Sequence, residues 1–469
     1  MTDIWTEDAC ALVDAYRKRE TSPEEIMDAA LTAAGRSGLN AISYIDEEEA
    51  HAAAKAADIS LPFGGVPFGV KELDPVDGWP FTEASKLFAG RTGSFTRTML
   101  ERLSASGAIL AGQTTASEFG SMNYTSTPLH GTTRNPWDTE ATPGGSSGGS
   151  AASVAGGIFP IATGGDGGGS IRIPAGFTGL FGLKTTYGVI PKGPWVDQSS
   201  LTVVYGCVSR SVRDTARFID VCSGYDPHDA LSLPKGDDLE ARLGSHDLSG
   251  MRACIAVDLG CAVVAPYVVE IVENAARALI EEAGLKLVDV VVTLPGISIE
   301  WAMSNIASLM AEIADLYPER AQELTPELQF IMNIADHTFD LRSAASVCSK
   351  RVELNETMAG IFEQVDFVFA ATNPDIAFAA AGPPPTTVGG RDLATEIGFE
   401  AALGNHGALT IPSNLYGNPA ISLPVGLSGG LPVGMQVLAR HHADALLLDL
   451  GLLAERLMPW PLVAPAAPC

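Results

Sequence analysis

Basic residues are scarce in this chain of 469 residues: lysine and arginine number 29 against 56 aspartates and glutamates, a formal net charge of −27. A surface so negative repels phosphate backbones, so no nucleic-acid partner is expected. Long apolar runs are also missing. No stretch reaches the roughly 18 residues needed to cross a bilayer without glycine, proline or charge intervening, so no membrane partner is expected either. Cysteine is sparse. The seven cysteines (Cys10, Cys207, Cys222, Cys254, Cys261, Cys348, Cys469) form no C-x-x-C pair and are odd in number, which suits reduced, mostly buried thiols better than a disulfide framework. The first residues, Met1-Thr-Asp-Ile-Trp-Thr-Glu-Asp, lack the basic and then apolar layout of a secretory signal. With 46% apolar and 18% charged residues, the expectation is a globular, cytoplasmic protein.

Glycine and serine are present in two dense runs. Pro143 to Ser150 reads Pro-Gly-Gly-Ser-Ser-Gly-Gly-Ser, and Gly164 to Arg172 reads Gly-Gly-Asp-Gly-Gly-Gly-Ser-Ile-Arg. Between them lie a small-residue, helix-compatible segment, Ala151 to Gly157, and an apolar strand-like run, Ile158 to Thr163. A helix followed by a returning strand can bring Ser146 and Ser170 into one pocket.

The rest of the chain alternates. Ser22-Pro23-Glu24-Glu25 is a capping box that starts a helix, and Asp46 to Ala57 also reads as helical, giving a helical lead-in over residues 1–60. Gly64 onward is a short apolar run that ends in Lys71 and suits a buried strand. Thr98 to Ser106 is helical, Ala108 to Gly112 a strand, and Ser211 caps a helix to Cys222. Strands are expected at Arg252 to Val257, Leu285 to Val292, Asp366 to Ala370, Pro419 to Leu427 and Gly430 to Leu438. Helices are expected at Pro266 to Ala283, through much of 300–363, and at Asp444 to Met458. The pattern predicts one α/β domain over residues 1–469, with a central mixed sheet covered by helices on both faces and a core at 61–215. The Pro/Gly-rich 382–391 segment is a candidate lid or pocket wall.

Three chemistries can use such loops. Phosphate binding is disfavoured, because neither run carries Gly-x-x-x-x-Gly-Lys-Ser/Thr or a clean Gly-x-Gly-x-x-Gly. Gly144-x-Ser146-x-Gly148 matches the nucleophile elbow of α/β-hydrolases, but no strand precedes it: Asn135 to Pro143 holds two prolines and no apolar run. The third is a serine hydrolase with a lysine base. Lysine serves only when neutral, which burial of Lys71 at its strand end would favour.

Six blocks together carry a resemblance. They are Gly-Val-Pro-Phe-Gly-Val-Lys71; Asn135-Pro-Trp with Pro-Gly-Gly-Ser146-Ser-Gly-Gly-Ser-Ala-Ala; Asp166-Gly-Gly-Gly-Ser170-Ile-Arg172-Ile-Pro; Gly-Leu-Lys-Thr-Thr-Tyr-Gly; Ile411-Pro-Ser-Asn-Leu-Tyr-Gly-Asn-Pro-Ala; and Gly-Leu-Pro-Val-Gly-Met-Gln436. In this order they resemble the amidase signature family over nearly the whole chain. The resemblance implies a Ser-cisSer-Lys triad: Ser170 as nucleophile, Ser146, after a cis peptide bond, as relay, and Lys71 as base. It implies an oxyanion hole from the N–H groups of Gly167, Gly168, Gly169 and Ser170. Ser147 and Asp166 are expected to hold the loops, and Arg172 to anchor a strand beyond them. Gly120, Ser121, Met122 and Tyr124, with the 371–400 loop, are expected to form the acyl-side pocket.

There are departures from the pattern. Gly165 and Gly167 flank Asp166 where the family has bulkier residues, an apparent loosening of the loop; Glu72-Leu-Asp74 follows the lysine; and Ser199 to Cys207 is altered in a way that reads as substrate tailoring. The implied activity is a stand-alone, cofactor-free and metal-free hydrolysis of a small, mostly neutral or apolar amide, with anilide, carbamate or ester substrates in range, by a monomer or homodimer. The alternatives are the glutaminase A subunit of a tRNA-dependent amidotransferase, against which the charge of −27 counts, and a silent binding protein on the same scaffold.

Overall fold

The computed structural model describes residues 4–196 and 201–465. Eleven strands form one mixed sheet. From one edge the order is Ile42–Tyr44, Ile109–Thr114, Pro67–Lys71, Ile161–Asp166, Val204–Ser209 and Phe181–Lys184; it continues through Ala420–Ser428, Leu431–Ala439, Phe367–Ala371 and Arg252–Ile255 to Lys286–Leu287. Pro67–Lys71 runs parallel to both of its neighbours, whereas the centre, from Ile161–Asp166 to Phe367–Ala371, is antiparallel. Helices cover both faces of this single α/β domain. On one side Gly148–Ala155 and Arg172–Thr178 pack Ala151, Val154, Ile171 and Ala175 against Ala162 and Val208. The larger core takes in Phe68, Phe181, Phe218, Phe367 and Phe369, which are all fully buried.

Most elements follow from local chemistry. Ser22 accepts from the Glu25 N–H while the Glu25 carboxylate accepts from the Ser22 N–H, so the capping box starts Pro23–Arg36 as the sequence predicts. Asp46 caps Glu47–Lys55, and Ser211 caps Val212–Cys222. Several expectations change. The strand expected at Leu285 to Val292 is only Lys286–Leu287, because this edge has one neighbour and its side chains face solvent. Ile42–Tyr44, inside the helical lead-in, is an edge strand, and Val204–Ser209 is a largely buried central strand that begins in the segment read as tailored. Ser199 and Ser200 of that segment, like Cys469, lie outside the described residues. Arg172 begins a helix and not a strand, since the glycine run turns the chain straight from Asp166 into Arg172–Thr178.

The lead-in is tied to the helix Val212–Cys222 through a buried carboxylate. Asp214 accepts from the N–H groups of Ala9 and Cys10 at 3.0 and 2.9 Å, the first turn of helix Ala9–Lys18. Beside it Arg210, fully buried, donates to the carbonyls of Trp5, Glu7, Val154 and Phe159. Asp214→Ala should therefore leave two buried donors unsatisfied and cost about 2–4 kcal/mol. Urea unfolding at pH 7 measures this, and the N-terminal helix should be the first segment to lose hydrogen-exchange protection.

Candidate active site

Pro67–Lys71 is buried along its whole length and delivers Lys71 at its C-terminal end. The lysine is 3% exposed, and its backbone N–H is fixed to Thr163 Oγ1 on the next strand at 2.9 Å. Its Nζ donates to Ser146 Oγ at 2.7 Å and Ser147 Oγ at 2.8 Å, with Gly165 O at 3.4 Å. Three carboxylates lie near enough to favour the charged amine, and each is paired elsewhere. Asp74 sits 3.2 Å from Arg97 Nε, Asp166 2.9 Å from Arg172 Nε, and Glu72 3.0 Å from His130 Nε2. Burial therefore dominates, and against the pull of Asp74, Asp166 and Glu72 it pushes the Lys71 amine down to about 8.

Ser146 follows a cis peptide bond from Gly145, as the motif implies. Gly145 has no room for a side chain: a Cβ there would lie 2.5 Å from Met122 O and 2.7 Å from Tyr124 N. Met122 and Tyr124 thus meet the serine loop with their backbones. Their side chains are not on the cavity wall. Tyr124 is buried against Phe378 with a ring separation of 6.3 Å, and Met122 packs into the helical layer beyond. Gly120 and Ser121 do line the cavity, and a Cβ on Gly120 would stand 3.5 Å from Ser146 Oγ.

Ser170 lies between the strand Ile161–Asp166 and the helix Arg172–Thr178, in a loop organised by a fully buried ion pair. Arg172 donates to both Asp166 oxygens, at 2.9 and 3.0 Å, and also to Asn414 Oδ1 at 2.7 Å, Thr410 O at 3.0 Å and Gln436 Oε1 at 3.2 Å. Asn414 Nδ2 returns to Asp166 Oδ1 at 2.8 Å. Burial alone would raise the Asp166 carboxyl, but the Arg172 charge and these donors outweigh it and hold the group well below the carboxylate range. Asp166 Oδ1 also accepts the Gly169 N–H at 2.7 Å. That donor, expected in an oxyanion hole, is thereby engaged, and Gly169 does not line the cavity; Gly167, Gly168 and Ser170 do.

The cavity, about 640 Å³, holds Lys71, Ser146 and Ser170 together. Its walls include Phe81, Phe95, Phe119, Tyr205 and Trp301, and the helix Ser298–Glu312 closes one side with Trp301, Asn305, Ile306 and Leu309. The 371–400 loop, expected here, instead lines a separate cavity of about 240 Å³ with Phe177, Tyr267 and His406. Sequence reasoning expected a helix here but not its place at the site, missed Arg97, which carries no motif, and gave no role to Asn414 and Gln436, although both stand in matched blocks. Among the described residues the one cluster of metal-ligating side chains is Asp8, Cys10 and Asp214, away from this cavity. Its Asp214 oxygens already accept backbone N–H groups, and burial pushes the Cys10 thiol well up, so the thiolate a metal needs is disfavoured.

The family model Amidase matches residues 25–448. The chain belongs to the amidase signature family. Its members hydrolyse C–N amide bonds, and this chain is an amidohydrolase of that kind. It is 29% identical to an acylamidase of Rhodococcus erythropolis, with 96% of this chain and 95% of that one covered. It is 31% identical to the A subunit of the glutamyl-tRNA(Gln) amidotransferase of Chloroflexus aggregans, over 98% of each. Among solved structures, a bacterial aryl acylamidase superposes with a TM-score of 0.89 at 26% identity, over 98% of each chain.

The Asp166–Arg172 pair is the part of this amidase with the largest predicted stability cost. Arg172→Leu leaves a buried carboxylate uncompensated and should destabilise the fold by about 3–5 kcal/mol, read by chemical denaturation at pH 7.

Proposed function

We propose that this protein is a stand-alone amidase that hydrolyses a small, neutral, apolar or aromatic amide through an acyl-Ser170 intermediate. The observation that carries the reading is the buried Lys71 amine, held against the Ser146 hydroxyl at 2.7 Å with its proton affinity lowered to about 8. A neutral amine there acts as general base. Lys71 takes the Ser146 proton while Ser146 takes that of Ser170, whose oxygen attacks the carbonyl carbon. The N–H groups of Gly167, Gly168 and Ser170 receive the developing oxyanion, each worth about 3–4 kcal/mol of transition-state stabilisation. The C–N bond breaks as the relayed proton passes to the leaving amine. Water then attacks the acyl-enzyme, gives its proton to the same relay, and releases the carboxylic acid and the Ser170 hydroxyl. No metal or cofactor enters this scheme.

The walls support the substrate class. Several aromatic rings stand on the walls, and of the cations beside them Arg91 is matched to Glu83 and Arg97 to Asp74, while Lys192 donates to the Tyr187 hydroxyl. A neutral amide suits such a site better than zwitterionic glutamine. The second reading, the glutaminase component of an amidotransferase, is favoured by the similarity to such A subunits. The purified chain should turn over p-nitroacetanilide unaided; glutamine turnover only with a co-purifying partner would favour the second reading. Carbamates, esters and aliphatic amides complete the panel.

Ser170→Ala should lower kcat about 10⁴-fold or more and abolish the acyl-enzyme mass shift on that residue. Because the base must be neutral, kcat/KM should rise with pH through about 8 and then level off. Asp74→Asn removes the strongest influence keeping the amine charged, so this limb should move to lower pH. Lys71→Arg, charged at every accessible pH, should show no limb at all.

A further inference from the structure

The glycine run at Gly167 to Gly169 has no side chains with which to fix itself, and the structure supplies external contacts in their place. Trp301 Nε1 donates to Gly167 O at 2.6 Å, and Thr410 Oγ1 donates to Gly168 O at 2.6 Å. The Trp301 ring also covers Gly168, where a Cβ would come within 2.6 Å of Trp301 Cζ2. In a trans peptide the C=O and the following N–H point in opposite directions. Holding Gly167 O on the indole therefore fixes the direction of the Gly168 N–H, and holding Gly168 O on Thr410 fixes that of the Gly169 N–H, which meets Asp166 Oδ1. Each of two successive peptide planes is set by one donor from another part of the chain.

We infer that Trp301 is a positioning residue that sets the Gly168 N–H for the oxyanion, and that the helix Ser298–Glu312 is thereby part of the catalytic apparatus as well as a cavity wall. This rests on the reading of Ser170 and the glycine loop given above. The helix is seated on the site by more than the indole. Thr202 Oγ1 donates to Asn305 Oδ1 at 3.2 Å, while Asn414, which binds Asp166, donates to Thr202 O at 3.2 Å. Ser298 Oγ donates to Gly404 O at 3.0 Å at the other end. The wall that meets the substrate and the loop that meets the oxyanion are thus joined through one side chain. A substrate that seats against this helix bears on the geometry of the Gly168 amide, so wall contacts enter kcat as well as KM.

A Trp301→Phe variant removes the N–H that holds Gly167 O and, with it, the benzo ring that covers Gly168, so both contacts of the indole with the glycine loop are lost. With p-nitroacetanilide as substrate, kcat should fall about 10-fold to 100-fold while KM changes less than about threefold, with the thermal unfolding midpoint and the pH of the activity limb unchanged. Ile306→Ala, on the same helix and cavity wall but with no hydrogen bond to the glycine loop, should raise KM by a larger factor than it lowers kcat, the reverse of Trp301→Phe. Phenylboronic acid, which forms a tetrahedral adduct with a reactive serine, should lose affinity in Trp301→Phe by the same factor as kcat, whereas the planar product acetate should not. A kcat within twofold of wild type, or equal losses for boronate and acetate, overturns the inference. The underlying reading fails separately, if Ser170→Ala retains turnover or no acyl-Ser170 mass is found.

Discussion

A lysine buried among neutral groups is the constraint on which the site depends. Lys71 meets two serine hydroxyls and a peptide carbonyl. Nearby carboxylates would ordinarily keep such an amine charged, but each has another partner: Arg97 for Asp74, Arg172 for Asp166 and His130 for Glu72. With each carboxylate partnered in this way, the amine itself is left to desolvation. The same pairing makes the surrounding carboxylates useful elsewhere. Asp166, kept ionised by Arg172, can gather the N–H of Gly169 and the amide of Asn414 and so shape the loop that carries Ser170.

This arrangement explains why the chain must be long. The lysine arrives on the third strand of the sheet, the serine loop and the glycine run flank one helix and its following strand, and the polar groups that hold Arg172 come from Thr410, Asn414 and Gln436, more than two hundred residues away. Gln436 belongs to the strand Leu431–Ala439, buried throughout, and donates to Ala371 O and Leu409 O, so the C-terminal hairpin is a support for the Ser170 loop. The helix Ser298–Glu312 then adds the outer wall. Variation in this helix at positions other than Trp301 can change the substrate while Lys71 stays on its strand and the two serines on their loops.

How much of this was legible in the sequence depended on whether the signal was local. Caps at Ser22, Asp46 and Ser211 are short-range chemistry, and the helices begin where those residues stand. Glycine runs around Ser146 and Ser170 pointed to one pocket, and the structure brings both residues to the same cavity with Lys71. What failed was long-range. A three-residue strand such as Ile42–Tyr44 has no periodicity to detect and forms only because Ile109–Thr114 offers an edge. Met122 and Tyr124 stand at the right distance from Ser146, but that distance did not say whether side chain or backbone would face the substrate. Nor could the pattern around Trp301 reveal that its indole would reach Gly167 O. The extra glycine that looked like a loosened loop is the position held by that contact.

The central claim is that the Lys71 amine is neutral near pH 8 because it is buried without a carboxylate of its own. Its ionisation can be observed directly by nitrogen NMR of the enzyme carrying ¹⁵N-labelled lysine, with the Lys71 resonance identified by its absence in Lys71→Ala. The account predicts a single Nζ titration centred near pH 8, well below that of ordinary lysines near about 10.4. An Nζ that stays charged until it titrates with the exposed lysines would contradict it.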